Sequence, residues 1–163
     1  MIYYLTATGN GISRDGTLPS GAVACTQAQY NSAANWTVNG GQIVAIPPPA
    51  LTPAQLATAA LSAGLAVSST STPALNGTYI VAPGVPFGQG DLATEAQFVS
   101  TFGEFTNGTT TIEWPLLTEG AVTFPNTAAF LSVAKVIAQY VATLKAIIAS
   151  NAGILPAPAA TIP

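Results

Sequence analysis

The clearest signal along the chain is a spacing of three and four. Phe130, Val133, Ala134, Ile137, Tyr140, Val141, Leu144, Ile147 and Ile148 recur at that interval between residues 127 and 149. Ser132, Lys135, Gln139 and Thr143 form the opposite, polar stripe. The pattern predicts an amphipathic helix, capped by Asn126 or Thr127 and roughly 35 Å long. That length would span a membrane. The polar stripe and two lysines read the segment as a core helix instead, with no membrane span.

Weaker patterns precede it. Thr52 followed by Pro53 predicts a cap and first helical residue for a helix over 51–67, with Leu56, Ala60 and Leu61 on one face and Gly64 ending it. Residues 68–73 read as a polar loop, and 74–81 contain a strand after an Asn76-Gly77 turn. Residues 83–90 form a Gly/Pro-rich loop. Asp91 is positioned to cap a helix reaching about Phe102. Residues 109–114 and 121–124 alternate and predict a β-hairpin.

The first 46 residues read as a small β-rich module. An aromatic and β-branched opening, 1–7, is broken at Gly9-Asn10-Gly11, and Asp15-Gly16 marks a second turn. Ala22-Val23-Ala24-Cys25 is a short apolar run. Thr26 caps a brief helix through about Trp36. Asn39-Gly40-Gly41 turns the chain into a strand over 42–46. Pro47-Pro48-Pro49 lies in a proline linker, 47–52. An α+β domain follows over 53–152, and then a Pro/Ala tail over 153–163 in which helix and interior strand are blocked by proline. That tail is extended, either disordered or laid along a partner; its lack of charge favours docking. The fold class is α+β: a small N-terminal β module, then helices and a hairpin packed on a long C-terminal amphipathic helix.

Composition changes this picture in one respect. Only 6% of residues are charged, against roughly 25% in an ordinary soluble domain. The cations are Arg14, Lys135 and Lys145; the anions are Asp15, Asp91, Glu95, Glu104, Glu113 and Glu119. A surface so poor in charge is either neutral-polar or covered by partners. Three scattered cations exclude binding of nucleic acid by phosphate neutralisation. One cysteine, Cys25, excludes an internal disulfide framework, and a buried structural thiol is its default role. The opening Met1-Ile2-Tyr3-Tyr4-Leu5 lacks the basic region and long apolar stretch of a secretion signal. The glycosylation sequons at Asn35, Asn76 and Asn107 are therefore read as chance matches.

Candidate chemistry is sparse. The chain has no histidine, which removes the commonest general base and metal ligand. Asp91 and Glu95 sit four apart on one predicted helix face. Acidic residues also favour a first helical turn through the macrodipole, which needs no cleft. Glu113 and Glu119 flank the hairpin loop as solvated ends. Ser132-Val133-Ala134-Lys135 has the serine–lysine spacing of penicillin-binding enzymes without their companion motifs. No catalytic, cofactor-binding or metal-binding residue is assigned. The candidates for a partner interface are Tyr3, Tyr4, Trp36, Ile154, Leu155 and Ile162; for the three aromatics the competing reading is core.

Several short stretches carry a resemblance. Tyr3-Tyr4, Thr8-Gly9, Leu18-Pro19 before Ala22-Val23, Thr26 with Tyr30, and Gly41-Gln42-Ile43-Val44 before the proline run resemble the N-terminal module of bacteriophage tail-fibre assembly and tail-fibre-linked proteins. Ala74-Leu75-Asn76-Gly77-Thr78-Tyr79, Phe105-Thr106-Asn107-Gly108-Thr109-Thr110, Trp114, Val122-Thr123-Phe124-Pro125-Asn126-Thr127 and Gln139-Tyr140-Val141 are similar to a C-terminal domain of unknown function found in phage tail genes. The resemblance implies a non-enzymatic structural component of the virion tail, made in the bacterial host cytoplasm. Its implied partners are other phage tail proteins and further copies of itself as a homo-oligomer. It also admits a tail-fibre assembly chaperone that leaves the particle. A host-glycan-binding module is a further alternative, resting on Tyr3, Tyr4 and Trp36 as exposed aromatics. The near absence of charge departs from the assembly family.

Overall fold

The computed structural model describes residues 1–118 and 120–163; Glu119, one end of the predicted hairpin loop, lies outside them. The chain divides into two compact units, Met1–Ala50 and Leu51–Pro163, and the division falls inside the predicted proline linker. The fold class is α+β, with the long C-terminal helix present.

In the first unit, β1 (Ile2–Thr6) is the centre of a three-stranded antiparallel sheet, between β2 (Gly9–Ser13) and β3 (Val23–Cys25). The Gly9-Asn10-Gly11 stretch is strand rather than the expected break. The turn falls earlier, at Ala7-Thr8, because Thr6 closes it: its Oγ1 donates to the Gly9 carbonyl at 3.1 Å and accepts from the Thr8 N–H. Thr26 does cap a helix, through a reciprocal capping box with Gln29. That helix, α1 (Gln27–Asn31), is shorter than expected, and a 3-10 turn at Ala33–Asn35 leads into a strand that begins at Trp36. The strands β4 (Trp36–Asn39) and β5 (Gln42–Ala45) pair across Gly40-Gly41, both at positive φ, as a two-residue hairpin turn requires.

In the second unit, Thr52 and Gln55 form the capping box of α2 (Pro53–Ala63), with proline at its first position. The first-turn N–H of Ala54 donates to Asn151 Oδ1 at 3.1 Å. Asn151 is itself the left-handed C-cap of α4 (Thr127–Ser150), so one side chain ties the start of α2 to the end of α4. Gly64 ends α2 as expected. The chain then enters β6 (Leu65–Ser69), where a continuing helix and a polar loop were expected. β7 (Gly77–Tyr79) pairs antiparallel with β6. The helix α3 (Gln89–Phe102) is capped by Gly88; Asp91 sits in the first turn and accepts from the Phe87 N–H at 2.7 Å instead of capping. The hairpin of β8 (Ile112–Pro115) and β9 (Ala121–Phe124) forms as expected.

The tail is not disordered. Its last residues form β10 (Ala159–Ile162), which pairs in parallel with β6 and completes the sheet order β10-β6-β7. The prolines did not prevent this because they flank the strand, and β10 is at the sheet edge.

The core of this unit gathers around Phe130, which is fully buried. Its ring lies 5.1 Å from Phe124, 5.3 Å from Phe105 and 5.4 Å from Trp114. By length and composition α4, alone among the helices of the described residues, could cross a membrane; here eight of its residues are buried against the chain's own core.

Tyr79 is wholly buried, and its hydroxyl donates to the Leu75 carbonyl at 2.8 Å. Burial pushes its phenol well above the ordinary value, and Tyr140 moves the same way for the same reason. Folded values above unfolded ones mean that the fold favours the neutral phenol. The stabilisation is therefore complete below about pH 10 and is lost as pH rises beyond it. Denaturant titrations between about pH 8 and 11.5 should show stability falling at the alkaline end. The fall should be shallower in Tyr79→Phe. A flat profile in the parent protein would show that the phenol is not held neutral.

Candidate assembly surfaces

The six residues singled out in the sequence do not form one site; three belong to each unit. Tyr3 is half-buried with its ring 5.1 Å from Tyr30. Tyr4 is half-buried across from Gly11 on the edge strand β2, and a Cβ added to Gly11 would run into the Tyr4 ring. Trp36 is half-buried, and its indole Nε1 donates to Ser32 Oγ at 3.2 Å. In the second unit Ile154 is 93% exposed, whereas Leu155 packs partly against the core. Ile162 is only 4% exposed, so the expectation that it faces a partner is corrected. As part of β10 it fills the chain's own core.

The residues weighed for chemistry are occupied by structure. Asp91 holds the Phe87 N–H. Glu95 is buried, and its two oxygens accept from the Thr106 N–H and hydroxyl, each at 2.8 Å. The pair therefore fixes two different loops and does not face one substrate. Ser132 Oγ donates to the Ala128 carbonyl within its own helix, away from any serine–lysine chemistry. Burial pushes the Cys25 thiol up, which disfavours the thiolate. Among the described residues, no three side chains of metal-ligating type come together.

Two surfaces stand out instead. The first belongs to the N-terminal unit. Of its fifty residues, Leu5 is the sole fully buried hydrophobic. Ile12, Val44 and Ile46 are 40–45% exposed. A chain of about fifty residues is already near the lower limit for a self-sufficient core. With one cysteine in the whole protein, no internal disulfide can substitute for that core. The unit carries sheets, caps and turns with little packed between them.

The second surface is an open groove of about 530 Å³ between α3 and α4. Leu92, Ile137 and Val141 lie buried at its base. Small side chains make the space: Ala93 and Ala96 on α3, Ala138 and Ala142 on α4. Lys135 and Lys145 lie along it with Gln89 and Gln97, and among the described residues no carboxylate lines it. Gln89 keeps its amide nitrogen buried there without a hydrogen-bond partner. Neither lysine is in an ion pair among the described residues.

Sequence reasoning missed this groove. It assigned Ala134 to the apolar face and Lys135 to the polar stripe, and ended there. The available signal was alanine every four residues at 134, 138 and 142, the spacing that leaves one helix face shallow. Compared with protein-family models, curated proteins and solved structures, the chain matches none of them.

Proposed function

We propose that this protein is a non-enzymatic assembly component, acting through protein–protein contacts, and that its setting is the tail of a bacteriophage particle. The observation that carries the assembly reading is the N-terminal unit with a single fully buried hydrophobic side chain. Apolar residues left half-covered in so small a unit are stabilised when a partner or a further copy completes the core. The low charge of the whole chain supports the same reading, since a surface destined for burial needs little charge. The phage-tail setting rests on the sequence resemblance alone.

Quantitative mass spectrometry on purified particles of the phage that encodes the chain tests this. The expected result is a fixed copy number of three, six or twelve per particle, as ring-forming tail parts require. Absence from particles, with the chain bound to free fibre in the infected lysate, would replace the structural role with that of an assembly chaperone. Absence from both would remove the tail setting.

A further inference from the structure

We propose that the groove between α3 and α4 receives an acidic amphipathic helical segment of a partner protein. The inference concerns the second unit alone, and so stands or falls separately from the copy number in particles.

Charge selects the occupant. The chain has three cations in all, and two of them, Lys135 and Lys145, lie on this one groove. No carboxylate among the described lining residues offsets them. A second copy docked symmetrically through the same groove would set these lysines against each other, which is unfavourable. An incoming segment with carboxylates beside an apolar stripe meets both features at once.

Shape selects a helix. The lining runs from Leu131 to Lys145 on α4, about 21 Å at 1.5 Å per residue. That is about four turns, the length over which a helix presents anchors at i, i+3 or i+4, and i+7. A volume of about 530 Å³ holds a row of anchor side chains, with the body of the helix remaining outside. The groove is open rather than enclosed, whereas sites for small ligands typically bury about 70–90% of the ligand surface. The shallow alanine walls let a third helix approach closely.

The full-length protein titrated with a synthetic helical peptide of about four turns tests the proposal. The peptide carries leucines at the anchor spacing, flanked by glutamates; its control carries lysines in place of the glutamates. The glutamate peptide should saturate, and the lysine peptide should bind on the order of tenfold more weakly. The double variant Lys135→Glu/Lys145→Glu should reverse that order while keeping the parent's circular dichroism, since both lysines are exposed. Ala138→Trp, which fills the groove and leaves both lysines in place, should abolish binding of either peptide. Equal binding of the two peptides, binding of neither, or glutamate-peptide affinity unchanged by the charge reversal overturns the proposal. So does competition by anionic phospholipid vesicles at the same lysines, which would assign the groove to a membrane surface.

Discussion

Gly64→Ala is expected to cost the second unit roughly 3 kcal/mol or more, a large share of the 5–15 kcal/mol typical of a whole domain. Two effects combine. Gly64 has φ 82° and ψ −175°, a backbone region that is essentially closed to residues with a Cβ. A Cβ there would also lie 2.7 Å from the Tyr79 carbonyl oxygen and 2.9 Å from Thr78 Cγ2. The carbonyl is backbone beside the sheet, so it cannot swing aside as a surface side chain would. Gly84→Ala separates the two effects. Gly84 also has positive φ, 71°, but nothing lies within 4 Å of its Cβ position. It should cost only about 1 kcal/mol. Urea unfolding of both variants measures the difference. Equal small losses would mean that the junction between α2 and β6 relaxes freely.

Ending the chain after Gly153 should lower the unfolding midpoint of the second unit by on the order of 15 °C. The deletion removes β10 with its four paired positions against β6. It removes Ile162 from the core, worth about 1.5–3 kcal/mol for a side chain of that kind. It also takes away the Ser69 hydroxyl's acceptor on Pro163, at 2.8 Å, and the Thr70 N–H's acceptor on Ile162, at 3.1 Å. Calorimetry on the truncated protein reads the shift. An unchanged midpoint would mean that the C-terminal segment contributes nothing to the unit.

The contrast between α4 and β10 explains what the sequence made legible. The helix carries its evidence within itself: a regular apolar stripe and an Asn126 cap whose Oδ1 takes the Ala129 N–H at 2.8 Å. The Thr52-Pro53 start and the Gly64 stop of α2 were legible for the same local reason. Strand β10 has four residues, Ala-Ala-Thr-Ile, without a pattern of its own. Its state is set by β6, and β6 was hidden because Leu65, Ala66 and Val67 continue the apolar run of the helix before them. Trp36 was misplaced by one element, since helix and strand both accept it and only its pairing with Ala45 decides. The groove was hidden differently. Alanine counts as apolar in a stripe, yet on α3 and α4 its effect is the room it leaves between two helices that no local window sees together. The half-buried state of Tyr3, Tyr4 and Trp36 lies between the two readings that sequence offered.

The pairing of β6 with β10 also sets an order of events during synthesis. Ala66 meets Ala159, 93 positions later. At about 5–20 residues per second, a ribosome needs roughly 5–20 s to cover that distance. For that interval Leu65 and Val67 have been made, but the strand that closes their sheet has not. The first unit has no such debt, because every strand pair in it joins residues within the first 45. The two halves of the nascent chain therefore mature on different clocks, and the second closes its sheet only after its last strand has left the ribosome.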